Sequence, residues 1–408
     1  MLSFIAVWSK SAQVCAITLI LFGLLADAHA ESDVVLYAFQ GARDGSAPEG
    51  GLIPDAAGNL YGTTVSGGRH YKRGGYGTVF KLAPDGTETV LYAFRGYSRG
   101  DGQEPLGGLI ADQAGNLFGT TSSGGSNCPQ SDGCGTVFRI SPDGRETILH
   151  AFAGGTDGWA PYGDLVADRH GNLYGTTYMG GGSGCFEGEG CGTVFRITLD
   201  GKEEVIYAFA GESYGAYPVA GLLFDKAKNL YGVTSEGGNG AGTVFRIAAD
   251  GSESVLYAFE GGSDGQAPDG KLIADKEGNL YGTTADGGTS GLGTVYKLAG
   301  DGSETVLYSF SGGSDGDEPL GRLLFDSSGN LYGTTLVGGG NGCVFGAGCG
   351  TVFKLAPNGA ETLLHVFKGG NDGALPYADL IKKADGLYGT ASSGGPYCCG
   401  TVFKLQIR

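Results

Sequence analysis

The sequence predicts an all-β protein folded as a seven-bladed β-propeller with four antiparallel strands in each blade. Three observations predict it. Three short apolar motifs each recur seven times at intervals of 50 to 58 residues, a period that belongs to solenoids or propellers. Each motif is rich in Val, Leu, Ile, Tyr, Phe and Thr and bounded by turn residues, as strands are. Beyond residue 30 no segment carries a 3.6-residue apolar period, so helix is not expected.

The first strand of each unit, placed innermost, is a short GLI-type run such as Gly108, Leu109 and Ile110. The second, NLYGTT, begins at Asn59, Asn116, Asn172, Asn229, Asn279 and Asn330, with a degenerate GLYGTA at Gly386. The third, GTVFKL, begins at Gly77, Gly135, Gly192, Gly242, Gly293, Gly350 and Gly400. The outermost, LYAF, begins at Leu36, Leu91, Leu149, Ile206, Leu256, Leu307 and Leu364. Turns such as Pro84-Asp85-Gly86 join them, with Pro presetting φ and Gly accepting a positive one. In Asp112 to Asn116 the carboxylate is placed to accept backbone N–H groups. Both faces of every sheet are apolar, as blades sandwiched between neighbours require. A β-helix would need much shorter rungs. The chain opens on an outermost strand, Val34 to Phe39, and closes on a third strand, Gly400 to Leu405. The N-terminal strand is therefore expected to complete the last blade and close the ring, leaving no exposed edge.

Composition agrees. Glycine is 82 of 408 residues, without the every-third-residue period of collagen, and 21 Tyr and 20 Phe argue against disorder. A formal charge of −17 argues against nucleic-acid partners and anionic membranes. Residues 1–30 read as a secretory signal peptide: Lys10, the apolar run Ala16 to Ala26, and Ala28-His29-Ala30 before Glu31. Residues 31–408 then form one propeller, expected to be monomeric, without a transmembrane segment, and secreted or periplasmic. Eight cysteines remain after Cys15 leaves with the leader.

The combination GNLYGTT…CGTVFKL…PDG.ETVLYAF…DG resembles the GloVer tandem repeat of exported bacterial proteins, over nearly all of residues 34 to 405. The resemblance implies a secreted or surface-held propeller and carries over no catalytic residues. The family's C-terminal anchors have no counterpart before Arg408, which favours a periplasmic or released protein.

Cys128/Cys134, Cys185/Cys191 and Cys343/Cys349 share one C-x5-C spacing at one structural position. Three local disulfides follow, each worth roughly 2 kcal/mol in the chain-entropy model; zinc would need four convergent ligands. Cys398 and Cys399 occupy the matching loop of the last blade, as a vicinal disulfide or as two thiols. Gly74 to Val79 imitates a phosphate loop, but no helix follows it. Asp44, Asp101, Asp157, Asp264, Asp315 and Asp372 stand in DG pairs and read as turn residues rather than calcium ligands, since no D-x-D-x-D-G spacing is present. His150 and His365 replace the Tyr of LYAF; with His70 and His170 they read as packed or solvated side chains. No metal or cofactor is expected.

Positions that break the repeat carry the functional expectation. The third blade's entry holds Trp159, Tyr162 and Asp164, the fourth Tyr214 and Tyr217, the last Tyr377 and Asp379. The residue before the GLI-type Leu is Gly51, Gly108, Asp164, Gly221, Lys271, Arg322 and Asp379 in turn, charged in four blades of seven. Aromatics beside charges suit a glycan or peptide. The expectation is a non-catalytic exported binding scaffold. Its rivals are a polysaccharide-degrading enzyme using the same carboxylates and a purely structural or assembly module.

Overall fold

The computed structural model describes residues 34–68, 74–130, 132–182, 184–185, 188–343 and 346–407. The expected leader and His70 lie outside them. Seven four-stranded antiparallel sheets stand side by side, in chain order from the innermost strand outward. Blade 1 comprises Ile53–Pro54, Leu60–Thr64, Thr78–Leu82 and Glu88–Ala93. Blade 7 comprises Ile381–Lys383, Gly386–Ala391 and Thr401–Leu405, and its fourth strand is Val34–Ala38. Val34 pairs with Lys404 and Ala38 with Thr401, so the N-terminal strand closes the ring as expected. Among the described residues helix is confined to short 3-10 pieces, most of them single turns after outer strands, such as Gly155–Asp157 and Gly262–Asp264.

The motifs explain how blades join. The Phe of each LYAF strand meets the aromatic residue of GTVF in the following blade edge-to-face. Phe94 meets Phe138 at 5.1 Å, Phe259 meets Tyr296 at 5.1 Å, and Phe367 meets Phe403 at 5.2 Å. Phe39 meets Phe80 at 5.1 Å across the closure. These rings are fully buried or nearly so, and such pairs contribute about 0.5–1.5 kcal/mol each beyond their area. The Gly of NLYGTT makes room for the ring: a Cβ on Gly175 would lie 2.6 Å from the Phe195 ring tip, and one on Gly62 2.7 Å from that of Phe80. The outer strand slips register by one residue beside this ring in every blade, as between Val137 and Phe138, a bulge that strengthens twist.

A second join uses the D-G-x-x-P entry. Each entry proline packs on the first Gly of the preceding blade's GTVF, with Pro161 Cδ 2.6 Å from where a Gly135 Cβ would stand and Pro48 Cδ 2.4 Å from one on Gly400. The residue before that proline adopts a left-handed φ of 53–60° in all seven blades: Ala47, Glu104, Ala160, Tyr217, Ala267, Glu318 and Leu375. This costs energy, and two backbone hydrogen bonds hold it. Ala160 N–H donates to Cys134 O of the preceding blade, and Ala160 O accepts from Tyr178 N.

The expected turns are present. Asp112 accepts the Ala114 and Asn116 N–H groups at 2.9 Å each, and Asp44 accepts the Gln40 N–H and the Tyr37 hydroxyl. Disulfides join Cys128–Cys134, Cys185–Cys191 and Cys343–Cys349, with Cα separations of 5.1 to 5.4 Å. Cys398 and Cys399 are not among the three bridges; Cys398 is exposed, and Cys399 Sγ lies 2.9 Å from Tyr397 O.

Two departures from the repeat leave buried polar atoms without partners. In blades 1 to 6 except blade 4 the second strand ends in a Thr-Thr pair whose last hydroxyl meets the Thr of GTVF, as Thr64 meets Thr78 at 2.8 Å; blade 4 keeps this contact between Thr234 and Thr243. Blade 7 has Ala391, and Thr401 Oγ1 is buried without a partner among the described residues. Tyr296 replaces Phe and its hydroxyl is buried without a partner among the described residues. Ala391→Thr and Tyr296→Phe are each expected to raise stability by about 1 kcal/mol. Chemical denaturation of the two variants measures this.

Candidate active site

The entry segments carry two layers of side chains toward the axis. The lower layer is the residue before each innermost strand's Leu. A Cβ on Gly51 would lie 3.2 Å from Asp379 Cβ, one on Gly108 would lie 3.0 Å from Asp164 Oδ1 and 3.2 Å from Gly51 N, and one on Gly221 would lie 3.0 Å from Asp164 Cβ. The three glycines thus leave space that the two aspartates occupy. Asp164 Oδ1 accepts the Gly108 N–H at 2.6 Å and its Oδ2 lies 3.6 Å from Lys271 Nζ. Asp379 Oδ1 accepts the Arg322 N–H at 2.7 Å and its Oδ2 lies 3.3 Å from Arg322 Nε. Burial raises the Asp379 carboxyl and the negative charge of Asp164 adds to this, against the opposing pull of Arg322 and Lys271. Two cations offset two carboxylates, so this layer is a floor of paired charges.

Of the upper layer, only Tyr162 and Tyr377 were expected from the sequence. This layer is the residue after each entry proline: Glu49, Leu106, Tyr162, Val219, Asp269, Leu320 and Tyr377. The left-handed residue before the proline adds Glu104 and Glu318. Loss of hydration at the hydroxyl raises Tyr377 first, although the side chain as a whole is 42% exposed, and the charges of Glu49 in blade 1, Asp269 in blade 5 and Glu318 in blade 6 raise it further. Side chains from across the ring therefore share one mouth. Tyr178 stacks on Tyr217 at 4.9 Å and meets Tyr162 at 5.1 Å, forming an aromatic wall between blades 3 and 4.

Glu49 is the singular group of the mouth. It is 7% exposed, although neither carboxyl oxygen is among the fully buried atoms that lack a partner. Burial, then the neighbouring Glu104, pushes its carboxyl up to about 8. Asp269 is pushed up to about 7 by burial, then by Asp286 and Glu318, and its Oδ1 is buried without a partner among the described residues. Glu318 and Glu104 are raised as well, chiefly by burial. No lysine or arginine pairs with these four among the described residues.

Of the residues expected at this face, Tyr162, Asp164, Tyr217, Lys271, Arg322, Tyr377 and Asp379 come together around the axis. Trp159 and Tyr214 do not. Trp159 bridges to Met179 and packs beside the Cys128–Cys134 loop. Tyr214 is exposed on the turn Glu212–Tyr214, near Tyr207 of an outer strand. The missed carboxyls had one available signal: a charged residue directly after a repeat proline, where other blades carry Leu or Val.

Stability should follow these carboxyls. Glu49 at about 8, Asp269 at about 7, and the rim residues Glu88, Glu146 and Glu304 at about 7 all lie above their ordinary values of 4.5 and 3.8. The folded chain thus holds protons that the unfolded chain releases. Their contribution is full below about pH 4 and is lost as pH rises through the folded values, about 7 to 8. The melting temperature is expected to fall between about pH 5 and 8.5, and Glu49→Leu, the residue of blades 2 and 6, should flatten that fall. Calorimetric scans against pH measure both.

Several solved structures similar to this chain are propeller enzymes. A puromycin hydrolase aligns with TM-score 0.54 at 14% identity over 86% of this chain and 51% of that chain. A gluconolactonase of Xanthomonas campestris aligns with TM-score 0.45 at 19% identity over 75% and 86%, and a luciferin-regenerating enzyme with TM-score 0.44 at 15% identity over 89% and 92%. At these identities the likeness is one of architecture. The non-catalytic scaffold was expected because the repeat contains no recognised catalytic motif; the puromycin hydrolase, an enzyme of the same architecture, stands against that expectation. Among curated proteins none matches the chain. A family model described as the Gloeobacter/Verrucomicrobia repeat matches residues 22–187 and 186–403, and the chain belongs to that family.

Proposed function

We propose that the chain is an exported hydrolase that cleaves a small neutral or cationic ester or lactone at the channel mouth. The observation that carries this reading is Glu49, only 7% exposed in the mouth and without a lysine or arginine beside it among the described residues, whose carboxyl burial raises to about 8. Burial likewise raises the Asp269 carboxyl in the same mouth, to about 7, and its Oδ1 is buried without a partner among the described residues. Two carboxyls held near neutrality are suited to proton transfer in opposite directions. Asp269 takes a proton from an attacking water, whose oxygen bonds to the carbonyl carbon. The ester C–O bond breaks, and Glu49 gives its proton to the departing alkoxide oxygen. The Tyr377 and Tyr162 hydroxyls orient the substrate. The unpaired carboxylates Glu104 and Glu318 disfavour anionic substrates, and the paired floor below confines the substrate to the mouth.

Export is supported by the leader-like residues 1–30 and by the three local disulfides, which persist in oxidising compartments. Among the described residues no helix is long and apolar enough to cross a membrane.

A panel of neutral lactones and p-nitrophenyl esters tests the reading. Turnover is expected for at least one class, and Glu49→Gln and Asp269→Asn should each lower kcat by about 10²-fold or more with little change in KM. Absence of turnover, or turnover unchanged in both variants, contradicts the proposal.

A further inference from the structure

The outer rim carries a second set of convergent side chains, between neighbouring blades and on the outermost strands. At most junctions the LYAF tyrosine donates its hydroxyl to the Asp of the following DG pair. Tyr37 donates to Asp44 at 2.9 Å, Tyr92 to Asp101 at 2.8 Å, Tyr257 to Asp264 at 3.0 Å and Tyr308 to Asp315 at 3.0 Å. The next blade's outermost strand adds a glutamate beside the pair. At six junctions that residue, Glu88, Glu146, Glu203, Glu253, Glu304 or Glu361, has an Oε1 atom that is buried and without a hydrogen-bond partner among the described residues.

The junction of blades 2 and 3 differs in one chemically decisive way. The tyrosine is replaced by His150, whose Nε2 lies 3.0 and 3.2 Å from the two Asp157 carboxylate oxygens. His150, Asp157 and Glu203 offer one ligand atom each within 4.8 Å of one another, and all three side chains are half-buried. Tetrahedral zinc bonded at about 2.0–2.2 Å to nitrogen and oxygen holds its ligand atoms about 3.3–3.5 Å apart, within reach of this arrangement after small side-chain rotations. The charge also suits a divalent ion. A neutral imidazole and two carboxylates sum to −2, and no lysine or arginine among the described residues pairs with either carboxylate. At the preceding junction Arg95 does pair with its aspartate, 3.0 Å from Asp101.

We propose that His150, Asp157 and Glu203 bind a divalent transition-metal ion, Zn²⁺ foremost, with water completing the coordination. His150 belongs to the last strand of blade 2, Asp157 to the connecting turn and Glu203 to the last strand of blade 3. The ion would staple two blades at the rim and supply the partner that the buried Glu203 oxygen lacks.

The test uses the full-length, tag-free protein stripped with EDTA and titrated with ZnCl₂ by calorimetry and by thermal melting. His150→Tyr installs the residue that stands at five other junctions, so the variant is expected to fold. Wild type should take up Zn²⁺ and melt several degrees higher with it. His150→Tyr should bind one ion fewer and lose that rise, and Glu203→Gln should weaken the affinity at least about tenfold. No uptake by wild type, or uptake and rise unchanged in His150→Tyr, overturns the proposal.

Discussion

The fold depends on one contact made seven times: an aromatic edge from one blade set against an aromatic face in the next. Each sheet lends its outermost Phe to the neighbour and receives one in return, so no blade has a complete core by itself. Phe39 makes the seventh contact, against Phe80. It comes from a strand far in sequence from the blade it completes, and the long loop this closes costs entropy that local blade formation does not. The glycines of NLYGTT and the entry prolines serve the same joint. The first keep the ring site open, and the second seat each blade on the glycine before the preceding GTVF strand.

That joint also shapes the mouth. Seating the proline forces the residue before it into a left-handed conformation, and the turn that results aims the following residue inward. Seven such turns place seven side chains around one opening whatever their chemistry. The repeat thus separates fold from function: the Phe, Gly and Pro positions are committed to packing, while the positions flanking the proline are free to vary. Glu49, Asp269, Tyr162 and Tyr377 are the outcome of that freedom, and the burial of Glu49 is a cost that packing alone does not explain.

Much of this architecture was legible in the sequence because the period, the turn residues and the strand composition all pointed to one answer. Blade number, strand order, the three disulfides and closure by Val34 to Ala38 follow from repetition alone. The lower ring from Gly51 to Asp379 was legible for the same reason, since one offset from a motif marks all seven positions. Trp159 and Tyr214 misled because loop aromatics look alike in sequence whether they face the axis or the rim. Only the left-handed turn decides, and it sends Tyr162 and Tyr217 inward while leaving Tyr214 outside. Glu49 and Asp269 were missed because burial is a property of convergence across the ring, which no single repeat displays.

The account of function stands on the protonation of one side chain, so the most direct measurement is the titration of Glu49 itself. Carboxyl ¹³C chemical shifts of glutamate-labelled protein, assigned by the signal lost in Glu49→Leu, report it without knowledge of any substrate. The account requires a midpoint near 8. A midpoint near the ordinary value of 4.5 would mean that the mouth is wet, that Glu49 is an unremarkable surface carboxylate, and that the proposed proton donor does not exist.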